Sequence, residues 1–143
     1  MSAEPRAEAA QAATEAAARE TVEAYFSAIH AGDTIWLGSL FSPQATLVGW
    51  DEGELKFVTR ERWLAFVESI PSPRSEGAPR NGEILYVDVQ GTMAMAKVRE
   101  AYRAFDYVDF LSLVWTGRRW EIVHKTYHQH APDRGSREGR EAR

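Results

Sequence analysis

The sequence of 143 residues predicts an α+β fold, in which helices come early in the chain and a mostly antiparallel β-sheet comes late. Two observations lead to this prediction. Helical spacing of apolar residues is found only before residue 71. After Gly82 the spacing changes to two, and the segments between the predicted strands are too short for helical crossovers. Consecutive strands must therefore pair antiparallel.

Three helices are predicted in the N-terminal half. The first covers about residues 5–30, which are rich in the helix formers Ala, Glu, Gln and Arg and precede a glycine that ends the helix. Asp33 caps a short second helix through Leu40. Thr59 caps a third helix, and Pro71 ends it because proline lacks the backbone N–H that a continuing helix needs.

Six strands are predicted from runs of apolar, β-branched and aromatic residues between turn signals. A short hairpin lies between the second and third helices, at residues 46–50 and 55–58. Four longer strands follow, at residues 84–89, 93–105, 107–115 and 120–128.

These elements are expected to form one domain at residues 1–131. Residues 132–143 carry no apolar residue larger than alanine and are predicted to be a disordered, charged tail. The chain has no glycine-rich phosphate loop, and no cofactor or metal site is expected.

The composition excludes several classes of function. The net charge is −4 with both signs spread along the chain, so there is no basic surface for nucleic acid and no polybasic stripe for a membrane. The absence of cysteine excludes disulfides and a cysteine nucleophile, and it suits a reducing compartment. No apolar run approaches the roughly 20 residues that a membrane span needs. We therefore expect a soluble, cytoplasmic protein.

The last predicted hairpin concentrates side chains that can exchange protons. If its loop has four residues, Asp109 faces Thr126 and has His124 and His128 as diagonal neighbours on the same side. A three-residue loop would shift the register by one residue and place Asp109 beside Lys125 and Tyr127. Both registers are compatible with the sequence.

Asp109 lies in an apolar strand, where a carboxylate must be paired, hydrogen-bonded or protonated. In one interpretation it is a general acid or base, or orients a ligand. In the other it forms a structural ion pair with Lys125, Arg99 or Arg103. His124, in the middle of its strand, is a candidate proton shuttle.

Lys125 also lies in the middle of a strand, where burial would lower its basicity and let it act on a carbonyl substrate. A pairing lysine is the simpler interpretation. His128 and His130 lie near the chain end and are interpreted as ordinary surface or edge residues. A metal site would need three convergent ligands, so none is expected here.

Aromatic residues are numerous for a chain of this size, and some are expected to line a pocket. A mainly apolar cavity with a few polar groups suits a flat or hydrophobic ligand. The candidate ligand contacts are Trp50, Trp63, Tyr102, Tyr107, Phe110 and Tyr127, together with Tyr25.

Five short motifs occur in a characteristic order along residues 18–130. They are AYF at 24–26, HAGD at 30–33, LFSPQA at 40–45, DFLSL at 109–113 and GRRWEIVHK at 117–125. Together these motifs resemble the nuclear transport factor 2-like superfamily, and within it the branch named putative lumazine-binding.

The resemblance implies a cone, in which a strongly curved, mixed or antiparallel sheet wraps three N-terminal helices and leaves a pocket at its open end. Many members form dimers through the outer face of the sheet, so a homodimer is expected. Members include ketosteroid isomerase, scytalone dehydratase, polyketide cyclases and non-enzymatic binders, so the fold alone does not define the function.

The resemblance also bears on single residues. Related members use an acid on an inner strand, which supports Asp109, and related isomerases use tyrosines as donors to a carbonyl or oxyanion, which supports Tyr25. Isomerase-type members place a catalytic Asp on the strand that starts near Thr46. This chain reads LVGW at 47–50 instead, with Asp51 at the turn.

Three functions follow as hypotheses. The chain binds a small, largely apolar or aromatic ligand; or it is a cofactor-independent lyase, isomerase or cyclase with Asp109 as base, assisted by His124 or Lys125; or it is a dimerisation module without a ligand.

Overall fold

The structure, a computed structural model, describes residues 13–131. The predicted tail at 132–143 and the part of the predicted first helix at 5–12 lie outside the described residues. Three α-helices and a short 3-10 helix are present in the described part. They are α1 (Glu15–Ala31), α2 (Thr34–Ser39), α3 (Arg60–Ser69) and the 3-10 helix Arg74–Glu76. None of these helices is long and apolar enough to span a membrane.

Side-chain caps define the helix starts. The Thr14 hydroxyl accepts a hydrogen bond from the backbone N–H of Ala17 at 3.1 Å, so α1 begins at Glu15 and residues 13–14 are not helical, which corrects the predicted boundary. Asp33 caps α2 and Thr59 caps α3 as predicted. The α1 helix ends at Gly32, whose φ of 66° is readily adopted only by glycine.

Six strands form one mixed sheet. Their bounds are β1 (Phe41–Asp51), β2 (Glu54–Thr59), β3 (Glu83–Gln90), β4 (Met93–Tyr102), β5 (Phe105–Trp115) and β6 (Trp120–His130). Their order across the sheet is β2-β1-β6-β5-β4-β3. The β1–β6 pair is parallel and the other four pairs are antiparallel, so the sheet is mixed, which is one of the two expected forms.

The helices pack against one face of the curved sheet, here called the inner face. Residues of β5 alternate between the two faces, with Asp109 and Leu111 buried and Phe110 exposed, as the sequence predicts. Tyr25 and Phe26 of α1 are completely buried against this inner face. The outer face carries no helix in the described part of the chain.

The β5–β6 hairpin combines a four-residue loop with a β-bulge. Trp115 pairs with Trp120 across the loop, as one of the two predicted registers requires. The pairing then shifts by one residue, because Val123 has no partner on β5. The bulge makes Asp109 pair with Tyr127, so the pairing with Thr126 expected for a four-residue loop is wrong. Asp109 instead has the neighbours expected for the three-residue loop, Lys125 and Tyr127.

Candidate ligand-binding site

A cavity of about 280 Å³ lies between α3, β1 and β2 on one side and the inner face of β4, β5 and β6 on the other. This volume is close to the lower end of the range of about 300–1,000 Å³ for ligand pockets. Its walls are largely aromatic. The aromatic residues are Trp63, Phe66, Tyr102, Tyr107 and Tyr127, with Tyr25 below them.

Four polar side chains cluster at the buried end of this cavity and are here called the floor cluster: Tyr25, Glu100, Asp109 and Lys125. Asp109 contacts Tyr25 and Lys125 but does not itself line the cavity. The Tyr25 hydroxyl donates to Glu100 Oε2 at 2.9 Å and accepts from Lys125 Nζ at 2.7 Å. Asp109 Oδ2 lies 3.5 Å from the Tyr25 oxygen and 3.7 Å from Lys125 Nζ. Since tyrosine has one proton and Glu100 is nearer, the Asp109 contact is the weaker one.

Strand order brings the floor cluster together. Glu100, Asp109 and Lys125 lie on the inner face of the consecutive strands β4, β5 and β6. Asp109 pairs with Val98 on one side and Tyr127 on the other, so Glu100 and Lys125 are its diagonal neighbours. Tyr25 reaches them from α1.

Aromatic rings compensate part of the cost of burying the Lys125 ammonium. Its Nζ lies 4.8 Å from the centre of the Trp63 ring and 5.2 Å from that of Tyr25. Such cation–π contacts are worth about 0.5–2 kcal/mol, with the larger values in desolvated sites. Lys125 is thereby held between two rings, the Tyr25 hydroxyl and the Asp109 carboxylate.

The two carboxyl groups are only half satisfied. Glu100 Oε1 and Asp109 Oδ1 are buried and have no hydrogen-bond partner among residues 13–131. Nearly all buried polar atoms in proteins have a partner, so two orphan oxygens in one cluster require an explanation. A proton on one carboxyl, or a donor on a bound molecule, would supply it.

Burial raises the pKa of both carboxyl groups. The pKa of Glu100 rises from its ordinary value of 4.5 to about 7, mainly through burial and then through the Asp109 charge, while Lys125 and the Tyr25 hydrogen bond oppose the rise. Burial likewise raises the pKa of Asp109, and Lys125 opposes it. The pair therefore holds a proton near neutral pH, and it titrates as a unit.

Three tyrosines surround the upper part of the cavity. Tyr107 accepts a hydrogen bond from Gln129 Nε2 at 2.8 Å, which leaves its own proton free to donate. Burial raises the pKa of Tyr102 and of Tyr127 to about 12, so both remain neutral at physiological pH. The Tyr107 and Tyr127 rings meet edge to face, with 6.0 Å between their centres.

Gly49 provides the space in which the Tyr127 ring lies. A Cβ at position 49 would be 2.5 Å from the Tyr127 carbonyl oxygen and 2.7 Å from two ring carbons. Any side chain on this residue of β1 would displace the ring. The shape of this cavity wall therefore depends on a glycine in the neighbouring strand.

Residues 13–128 match a family model described as putative lumazine-binding, which is most of the chain. The chain belongs to this family. It lies within the nuclear transport factor 2-like superfamily, and none of the curated proteins matches it.

Solved structures agree with the family. A nuclear transport factor 2-like protein of unknown function from Silicibacter pomeroyi is 31% identical, with 80% of this chain and 94% of that chain covered and a TM-score of 0.69. One from Shewanella baltica is 25% identical, with 81% and 93% covered and a TM-score of 0.72. A ketosteroid isomerase-like protein from Erwinia carotovora atroseptica shares the fold at 15% identity, with 82% and 96% covered and a TM-score of 0.62.

In this family member, the structure brings together three of the four predicted catalytic residues, Tyr25, Asp109 and Lys125. It does not bring His124 to them. His124 lies on the outer side of β6, with Nδ1 2.8 Å from the Thr46 hydroxyl oxygen. The bulge at Val123 is the reason, because it turns the following residues of β6 to the opposite faces.

The predicted ligand contacts divide in the same way. Trp63, Tyr102, Tyr107 and Tyr127 line the cavity. Trp50 and Phe110 do not, because strand alternation puts them on the outer face, where they are 62% and 50% exposed. Three residues are candidate ion-pair partners of Asp109, and its partner in the structure is Lys125. Arg99 pairs with Glu83 instead.

Glu100 was missed by sequence reasoning, although a signal was present. Ala94, Ala96 and Val98 alternate along the buried side of β4, and Glu100 is the next residue of that alternation. A charge in such a series has the same significance as Asp109 in β5. No group of three or more potential metal ligands occurs within residues 13–131.

Proposed function

We propose that this protein binds a small, mostly aromatic molecule in the cavity and that Glu100 is its polar anchor. The observation that carries the proposal is the Glu100 carboxyl, which is buried, lines the cavity and has one oxygen without a partner among the described residues. An unpaired buried oxygen is unfavourable by about 1–3 kcal/mol, and a ligand donor would remove that penalty.

The walls support the same proposal. Flat aromatic side chains surround the cavity, and the neutral tyrosine hydroxyls above the floor cluster offer hydrogen bonds that orient a ligand. A collapsed core would leave no space of this size, because protein interiors are close-packed with few voids larger than a water molecule.

The test uses two aromatic probes and a matched pair of variants. Binding of 2-naphthol and 4-ethylphenol is followed through the indole N–H resonance of Trp63, and natively purified protein is examined by mass spectrometry for a retained molecule. Val58→Trp fills the cavity and should abolish probe binding. Phe57→Trp adds an indole at the neighbouring residue on the outer face and should leave binding intact. Equal binding by both variants would overturn the proposal.

A second candidate is a cofactor-independent lyase or isomerase, and the pKa of Glu100 favours it. A general base works best when its pKa is near the operating pH, and that of Glu100 is raised to about 7. Asp109 is only 1% exposed, beneath Tyr25, so Glu100 takes the place at the cavity that we expected for Asp109. Glu100 would remove a proton beside a substrate carbonyl and return it to another atom.

The enzymatic candidate is tested by deuterium exchange. The α-protons of 2-tetralone in D2O, observed by NMR, should exchange faster with the protein than with buffer. Glu100→Gln should abolish the acceleration, whereas Asp109→Asn should only shift its pH profile. An acceleration that survives Glu100→Gln would reject Glu100 as base.

We further propose that two copies associate through the outer face of the sheet. Large apolar side chains are exposed there, namely Trp50, Leu55, Phe57 and Phe110. Exposed apolar surface of this kind is typical of interaction sites. Phe57→Glu should convert a dimer to a monomer in sedimentation velocity. Ile35→Glu, a matched change on the exposed side of α2, should not; a monomeric wild-type protein would refute the association.

A further inference from the structure

We infer that the ligand is an aromatic acid that carries a hydroxyl group at the end opposite its carboxylate, with the hydroxyl at the floor cluster and the carboxylate at the cavity mouth. This inference rests on the proposed ligand-binding function. It follows from the distribution of charge along the cavity, which is cationic at its mouth and has buried carboxyl groups at its floor.

The mouth is cationic. Lys56 and Arg62 line this end of the cavity together with a single anion, Asp51. Asp51 is 3.7 Å from Lys56, which is a loose ion pair. Arg62 is exposed and makes no ion pair with any residue in the range 13–131. A guanidinium group without an anion matches the two oxygens of a carboxylate.

The floor has the opposite character. Glu100 lines this end of the cavity and has a buried oxygen without a partner in the described structure. A second such carboxyl, Asp109, lies next to Tyr25 and Lys125, just outside the cavity wall. A ligand carboxylate placed here would face like charges, so the anionic end of a ligand must point outward. A ligand ammonium would meet the Lys125 cation, which already contacts Tyr25 and Trp63.

A hydroxyl group satisfies the floor in either state of the carboxyl pair. It donates to Glu100 Oε1 when that group is ionised and accepts from it when it is protonated, because a hydroxyl is both donor and acceptor. The Tyr25 proton cannot take this role, since it is directed to Glu100 Oε2. The orphan oxygen thus specifies a neutral group that can donate and accept.

The space between mouth and floor suits one flat ring system. Trp63, Tyr102, Tyr107 and Tyr127 contribute aromatic surfaces, and the cavity volume of about 280 Å³ excludes large polycyclic molecules. A ring with the hydroxyl and the carboxylate on opposite sides connects the two ends of the cavity. The class is therefore that of hydroxylated aromatic acids.

The experiment measures the affinity of 4-hydroxycinnamate by calorimetry at pH 7, beside three analogues that each lack one feature. Cinnamate lacks the hydroxyl, 4-hydroxycinnamamide lacks the charge, and 4-ethylphenol lacks the acid altogether. Loss of the hydroxyl should weaken binding about 10–100-fold, because a hydrogen bond to a buried charged group is removed. Loss of the charge should weaken it about two- to fivefold, as for an exposed ion pair.

Variants assign each preference to one end of the cavity. Arg62→Gln should remove the preference for the acid over the amide, whereas Lys97→Gln, a matched change outside the cavity, should retain it. Glu100→Leu should remove the preference for 4-hydroxycinnamate over cinnamate. If that variant does not fold, Glu100→Gln should reduce the same preference to a few-fold, since a neutral amide remains.

The outcomes separate this inference from the function on which it rests. Equal affinity for 4-ethylphenol and 4-hydroxycinnamate would overturn the ligand class while leaving an aromatic-binding cavity. Equal affinity for cinnamate and 4-hydroxycinnamate would overturn the role of Glu100. If none of these compounds binds and 2-naphthol also fails to bind, the proposed function itself is wrong.

Discussion

Replacing Glu100 by Gln is expected to change how the free energy of unfolding depends on pH. In the folded protein the pKa of Glu100 is about 7, whereas its ordinary value, which applies to the unfolded chain, is 4.5. Between these values the folded state binds more protons than the unfolded state, so stability falls as pH rises. The stability contributed by the protonated group is fully present below pH 4.5 and is lost as pH rises through about 7.

The size of the effect follows from the same two values. One pKa unit corresponds to about 1.4 kcal/mol, so the rise of the Glu100 pKa from 4.5 to about 7 corresponds to about 3 kcal/mol. Gln retains an oxygen that accepts from Tyr25 but cannot ionise. Relative to the wild type, Glu100→Gln should therefore gain about 3 kcal/mol in stability between pH 4.5 and pH 8.

Urea denaturation, followed by tryptophan fluorescence at pH 4.5, 6, 7 and 8, measures this difference. Glu83→Gln is the control, because Glu83 is exposed and its ion pair with Arg99 lies on the surface. Its stability difference from the wild type should stay constant within about 0.5 kcal/mol. Parallel pH curves for Glu100→Gln and the wild type would refute the argument that burial holds a proton at Glu100.

Three further predictions concern other residues. Lys125→Met should destabilise the protein by about 3 kcal/mol at pH 8, because Asp109 is left as an unpaired buried charge. The loss should be smaller at pH 5, because burial raises the pKa of Asp109 and the lysine that opposes this rise is gone; urea titrations at both pH values measure this. Gly49→Ala should displace the Tyr127 ring, lower stability by about 1–3 kcal/mol and weaken 2-naphthol binding; unchanged Tyr127 resonances would contradict it. Thr14→Ala should lower stability by about 1 kcal/mol in urea titrations, and an unchanged value would show that the cap is dispensable.

The sequence was sufficient for features that depend on local chemistry. Asp33 and Thr59 cap helices because their side chains accept backbone N–H groups nearby in the chain. The alternation in β5 places Asp109 on the inner face because strand periodicity is local as well. The same local rules predicted that Asp109 is a buried acid in an apolar strand.

Features that depend on several strands at once could not be predicted. The bulge at Val123 forms where β6 fits between β5 and the parallel strand β1, and no residue type near it signals its position. The face of His124 therefore stayed open between the two predicted registers, and its candidate role as a proton shuttle beside Asp109 is not supported by the structure. Glu100 is a different case, because the alternation of buried residues along β4 can be read from the sequence. The reasoning applied to Asp109 in β5 would have identified Glu100 as a second buried acid.

The bulge in β6 determines which of two alternating sets of side chains on this strand faces the cavity. Because Val123 is left out of the pairing, the set that contains Lys125 and Tyr127 faces inward. A relative without the bulge, in which every residue of this strand is paired, would turn the other set, that of His124 and Thr126, toward the cavity. Its sequence could be nearly the same. Matching residues column by column across such relatives would therefore equate a cavity lysine with a surface residue, so homologous positions in this strand must be assigned by face before any role is transferred.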